Sequence, residues 1–341
     1  MLKYLKLIFC FGMILFFSGC LSKTDSSDSD NNNPIDYHSD GSYITYFSNQ
    51  SDASKAINVI VMGDGYIKND LTKNGVYETE AKKLINGLFN KAPFSQYKEN
   101  FNAYIVFCES KQRGADSSPT SEDVDTVFDS HFGEAGIDRL LIIQNNAKVD
   151  EYLTKTGLTA KNPLNKSIIL ISVNSEKYGG SGGYYSVVSK NTYSLDVAIH
   201  EIGHSFGVLA DEYEYGATFP KADAANEKNV DLTNDLSLIK WKQFLGLKGY
   251  EDVSAYEGAY YYPTGVWRPC NDCLMRNLGQ NFCPICREAI VKEIYLCSGG
   301  IYNFNEFILK DKENLSSKIN NYKNNNSYPE MIPDDLRHIN H

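Results

Sequence analysis

His200 and His204 stand four residues apart in "AIHEIGHSFGVLADEYEYG", residues 198–216, with Glu201 directly after the first histidine. On a helix, that spacing puts both imidazoles on one side, a turn apart, where they can share a metal ion. Glu201 is rotated off that side, so it can miss the ion and contact a water that the ion activates. The chemistry this suits is hydrolysis at a carbonyl: the ion lowers the pKa of the water, and the free carboxylate takes its proton during attack. Two satisfied surface histidines are the bland alternative. It is disfavoured because six histidines in 341 residues seldom give this pattern by chance, and because the pattern falls on an amphipathic segment.

Catalytic zinc sites have three protein ligands, so a third donor is required. His38 falls in a polar N-terminal stretch and His338 and His341 in a polar C-terminal one, leaving only His131 inside the apolar part of the chain. A carboxylate is therefore expected. Gly207, just past the helix, is expected to adopt the left-handed conformation and reverse the chain, returning Asp211 or Glu212 towards the histidines. Asp211 is the preferred donor, because its neighbour on an extended segment would face the other way. Glu212, Glu214 and His131 are the alternatives.

The elements that must hold these residues can be read from periodicity. Leu195, Ile199, Ile202 and Phe206 recur at helical spacing, which predicts a helix from about residue 194 to 206 with Thr192 or Ser194 as its cap. Upstream, "INVIVMG", "AYIVFC", "RLLIIQ" and "SIILISV" read as four buried strands. "YETEAKKLINGLF", between the first two, carries apolar residues at helical spacing, and such alternation implies a largely parallel sheet. "GDGY", with Asp64 and Tyr66, ends the first strand as a polar turn. "YGGSGG", residues 178–183, either forms a flexible loop or lets a substrate backbone approach an open sheet edge; the edge is preferred.

The first twenty residues join Lys3 and Lys6 to an apolar run too short to span a bilayer, the pattern of an export signal. The run ends in "FFSGC", which resembles the lipobox of bacterial lipoproteins and makes Cys20 the lipidation site. Residues 21–45 have little to bury and are expected to be a disordered acidic tether. Residues 46–309 are then one catalytic domain and residues 310–341 a polar tail. The net charge of −10 and the lack of a basic cluster argue against nucleic acid as a partner. The expected partners are a protein or peptide substrate and a membrane held only through the N-terminal lipid, with the protein a monomer at the outer membrane, on either face.

Six cysteines remain beyond the signal and the lipid site. Cys270 and Cys273 form one CxxC, Cys283 and Cys286 another. This spacing suits a structural zinc in addition to the catalytic one, whereas export favours two disulfides. Both remain open.

The run from His200 resembles the metzincin peptidases, in which HExxH is followed by two residues, a glycine, two residues and a third ligand. Here Gly207 fits and Asp211 comes one place late. The resemblance makes Met275, in "CLMRN", the methionine beneath the metal, while the cysteine arrangement around it is similar to that of archaemetzincins, which bind a second zinc there. More closely, "VMGDGY", "PFSQYKENFNAYIVFCES", "YGGSGGYYSVVS" and "HEIGHSFGVLADEY" occur in the order found in the IgA-peptidase family of zinc metalloendopeptidases.

That resemblance implies an α/β (α+β) fold: a metzincin-like two-lobed zincin with a mixed twisted sheet, an active-site helix and a smaller irregular C-terminal lobe. It also implies that His200, His204 and Asp211 hold zinc, with Glu201 as base. Tyr213 is the expected oxyanion donor. Nothing in these residues identifies immunoglobulin A as substrate. A surface lipoprotein that binds protein or glycan on an inactive scaffold is the rival reading, and retention of Glu201 speaks against it.

Overall fold

The computed structural model describes residues 35–121, 123–159, 167–216 and 219–317, with side chains to residue 312. The expected export signal with Cys20, and most of the expected tether and tail, lie outside the described residues. The strands are β1 (Tyr43–Ser48), β2 (Ile57–Asp64), β3 (Phe101–Val106), β4 (Ser130–His131), β5 (Ile142–Ile143), β6 (Ser167–Val173), β7 (Gly180–Ser181), β8 (Ser186–Ser189), β9 (Tyr256–Ala259) and β10 (Tyr262–Arg268). The α-helices are α1 (Val76–Leu88), α2 (Asn146–Thr156), α3 (Ser194–Ser205), α4 (Pro284–Ser298) and α5 (Phe304–Ser317).

Six strands form one mixed sheet in the order β1-β3-β2-β6-β8-β7. The inner four are parallel, and antiparallel β1 and β7 close the two edges. This is the expected α+β architecture. Side chains alternate across a pleated strand, so β2 sends Val59 and Val61 into the core shared with α1, α3 and α4, and Ile60 and Met62 into the core shared with α2. Burial on both faces explains why β2 and β6 read as unbroken apolar runs. Among the described residues no helix is long and apolar enough to cross a membrane.

Three expectations need correction. "RLLIIQ" is not a strand of the main sheet. Its Ile142–Ile143 pairs with β4 in a separate two-stranded sheet, while Leu140 bridges Gly180. The run is apolar because Leu141 and Ile143 pack into the α2-side core, and apolarity does not specify a strand's partner.

The folded chain also begins before residue 46. β1 starts at Tyr43, His38 stacks on the Phe107 ring at 3.8 Å, and its Nε2 lies 3.0 Å from Glu78. At the other end, α5 runs past residue 310. There Asp311 is buried against Arg287, its Oδ1 2.7 Å from Nε and its Oδ2 2.7 Å from Nη2.

Candidate metal centre

The α3 helix is buried nearly all round, with Val197, Ala198, Ile199 and Ile202 almost inaccessible. It lies against α1, β6, β7 and β8. On the α1 side Gly87 makes room for it, since a Cβ there would fall 2.0 Å from Leu195 Cδ1. Neither Thr192 nor Ser194 caps the helix. The cap position is Tyr193, without a side-chain bond, and Ser194 Oγ instead accepts from Lys83 at 3.0 Å.

The chain reverses one residue later than expected. Gly207 is not left-handed; Val208 is, with φ 53. Gly207 is needed for close approach instead, because a Cβ there would lie 2.7 Å from the Gly203 carbonyl oxygen. Leu209 N–H donates to Gly203 O at 3.1 Å and closes the turn. The later reversal accommodates the extra residue between Gly207 and Asp211, so the departure from metzincin spacing does not displace the carboxylate.

His200 Nε2 and His204 Nε2 are 3.0 Å apart, and each lies 3.3 Å from Asp211 Oδ1. All three side chains are buried. His200 Nδ1 is 3.1 Å from Leu274 O and His204 Nδ1 is 2.8 Å from Leu209 O. A carbonyl only accepts, so both Nδ1 atoms carry the proton. The Nε2 lone pairs then converge on one carboxylate oxygen, an arrangement that repels itself unless a cation sits among the three donors. The residues therefore fit a divalent metal, and the backbone carbonyls are the outer partners that orient histidine ligands.

Tyr261 completes this set and was not foreseen. Its hydroxyl donates to Asp211 Oδ2 at 2.5 Å. It arrives from the β9–β10 hairpin, where Tyr260 and Tyr261 are both left-handed. The run "AYYYP" was its only trace in the sequence. Tyr213, the expected oxyanion donor, is buried edge-on against the Tyr261 ring, with centroids 5.6 Å apart.

Glu201 is fully buried beside the histidines. Gly182, from the glycine-rich segment, stands directly over it: a Cβ at Gly182 would lie 2.6 Å from Glu201 Oε2 and 3.2 Å from His204 Cβ. That segment does not leave an open sheet edge at Gly180. Gly180 N–H donates to Arg139 O and its carbonyl accepts from Leu141 N–H, at 3.3 and 3.4 Å. Instead a cleft of about 720 Å³ opens beside Gly182, with Ile142, Ile143, Tyr184, Tyr185 and Val187 on its walls.

Met275 is fully buried below α3, and a Cβ on Gly203 would lie 2.6 Å from its sulfur. Cys273, Cys283 and Cys286 converge next to it, together with Glu212. The four cysteines of the two CxxC pairs are all free thiols. Glu212 is thus turned away from the histidines, and the remaining alternative donors are elsewhere. His131 Nε2 lies 3.5 Å from Glu134, and Glu214 lies 3.7 Å from Arg276.

The "GDGY" turn has a structural role. Buried Asp64 accepts from Phe128 N–H and Thr126 Oγ1, each at 2.8 Å, and the Tyr66 hydroxyl meets Ser172 Oγ at 3.0 Å. Asp64 fastens the loop after β3 to the end of β2, and Tyr66 ties its own turn to β6.

Comparison with curated proteins gives no match. A family model described as IgA Peptidase M64 matches residues 46–249 and 247–294.

Proposed function

The chain belongs to the IgA peptidase M64 family, and from that premise we propose that it is a zinc metalloendopeptidase that hydrolyses internal peptide bonds of protein substrates. The observation that carries this reading is the convergence of His200, His204 and Asp211 on one point, with Glu201 on the adjacent face of the same helix.

His200, His204 and Asp211 would hold the zinc, which would supply Lewis acidity towards a carbonyl and a water. The rest falls to side chains. Leu274 O and Leu209 O fix the imidazole tautomers, and Tyr261 holds the Asp211 carboxylate by its other oxygen. Glu201 takes the proton of the attacking water on a carboxylate oxygen, then passes it to the leaving amine. The buried setting of Glu201 strengthens its electrostatic contacts with the reacting groups. The cleft beside Gly182 offers apolar and aromatic walls to an extended substrate.

The test is peptide cleavage by protein lacking residues 1–20, with and without chelator. Internal cleavage abolished by chelation and restored by zinc is expected, and full activity without any metal would overturn the reading.

We further propose export and lipid attachment at Cys20 in the outer membrane. The support is the short apolar run and the "FFSGC" that ends it. Labelled fatty acid should enter the wild type and not Cys20→Ala.

A further inference from the structure

We propose that Glu212, Cys273, Cys283 and Cys286 bind a second divalent metal of the zinc class, with a carboxylate in place of the fourth thiolate. The proposal stands apart from the catalytic reading, because none of its donors is a donor of the histidine site.

One donor atom from each of the four lies within 4.8 Å of all the others, and all four residues are buried. Cys273 and Cys286 sulfurs are 3.6 Å apart. Two sulfurs bound to a tetrahedral zinc at about 2.3 Å are separated by roughly 3.8 Å, so the spacing suits a shared ion. Glu212 Oε1 lies 3.2 Å from Cys286 Sγ and 4.0 Å from Cys283 Sγ. Its other oxygen is buried with no hydrogen-bond partner among the described residues. A buried carboxylate atom left without a donor costs free energy unless something else satisfies it, and a cation bound by this carboxylate would do so.

The surroundings suit an anionic cluster that holds a cation. Cys283 is the N-cap of α4, its sulfur accepting from Cys286 N–H at 3.4 Å, and Cys283 N–H donates to Cys273 Sγ at 3.3 Å. A helix N-terminus favours negative charge. Asn229 Nδ2 donates to Glu212 Oε1 at 2.9 Å and fixes its rotamer. Cys270 lies beside Cys283 but outside the mutually close set.

The site would also join the two segments that position the histidine centre. Glu212 follows Asp211 directly, and its N–H donates to Met275 O at 2.8 Å. Cys273 precedes Leu274, whose carbonyl oxygen holds His200. A metal here cross-links both segments beneath α3.

Metal content of the full chain, purified under reducing conditions, tests this together with the cobalt-substituted protein. Two equivalents of zinc are expected in the wild type and one in His204→Ala. Cobalt at the retained site should give sulfur-to-cobalt charge-transfer absorption. Glu212→Gln should weaken that metal roughly tenfold or more and alter the absorption, whereas Cys270→Ser should leave both unchanged.

If Glu212→Gln fails to fold, the wild-type stoichiometry, its thiolate absorption and the Cys270→Ser result still decide. Two disulfides, or a wild type without thiolate-bound metal, would overturn the proposal; so would metal loss in Cys270→Ser but not in Glu212→Gln. A wild type with only the thiolate-bound equivalent would instead remove the catalytic reading and leave this one standing.

Discussion

Gly182 and Glu201 face each other so closely that a methyl group on the glycine would lie 2.6 Å from the glutamate's Oε2. The glycine leaves the space in which the carboxylate sits. Gly182→Ala should therefore push Glu201 off its position and lower turnover by tenfold or more, on the order expected for a displaced general base. Metal analysis alongside turnover separates displacement of Glu201 from disturbance of His204, whose Cβ the same methyl would approach to 3.2 Å. Wild-type turnover in Gly182→Ala would show that Glu201 has other room.

Glu201→Gln keeps the side chain's shape but removes its basicity. Turnover should fall by roughly a hundredfold or more while zinc binding persists. Metal analysis alongside peptide cleavage separates this outcome from loss of the metal, and unchanged turnover would assign the proton transfer to another group.

Asp211→Ala should abolish tight zinc binding by removing one of three donors. Tyr261→Phe removes only the hydrogen bond to Asp211 Oδ2, so affinity should fall by about tenfold, as for other groups that orient a ligand. Competition with a chromophoric chelator ranks the two. If Glu212→Ala cost the histidine-site metal more than Asp211→Ala, the ligand assignment would move to Glu212.

The helix and its two histidines were legible because amphipathic spacing and HExxH are both local patterns. Asp211 was legible through charge and chain reversal, even though the left-handed residue proved to be Val208. Tyr261 was not, because it reaches Asp211 across 50 residues through a hairpin whose shape depends on two left-handed tyrosines, an unfavourable conformation for bulky side chains. His38 and β1 were hidden by polar composition. In β1, the side chains at Tyr43, Thr45 and Ser48 are exposed, so an edge strand of this kind carries little apolar signal. Glu212 was hidden behind the CxxC spacing, which draws attention to sulfur and away from a carboxylate about 60 residues earlier.

Asp64 supplies a pH test remote from either metal cluster. Burial raises its pKa above 3.8 despite the hydrogen bonds it accepts. The folded state therefore keeps this proton at pH values where the unfolded chain has lost it, so stability falls as pH rises from about 4 to the folded pKa. Asp64→Asn cannot titrate. The wild-type stability minus that of the variant, measured by urea denaturation, should decline across this window and then level off. A difference that rises with pH would mean that the fold prefers the carboxylate.

The pairing of Arg287 with Asp311 sets a limit on how far the C-terminus can be shortened. Arg287 on α4 is nearly inaccessible, and Asp311 on α5 engages it through both oxygens while also accepting from the Tyr250 hydroxyl at 2.9 Å. Cuts after residue 312 leave this pair intact. A cut before Asp311 strands a buried guanidinium without its counter-charge, which costs about 3 to 5 kcal/mol, a large fraction of the stability of a typical domain. A truncation that passes Asp311 should thus give an unstable product, which thermal denaturation of the shortened protein would show.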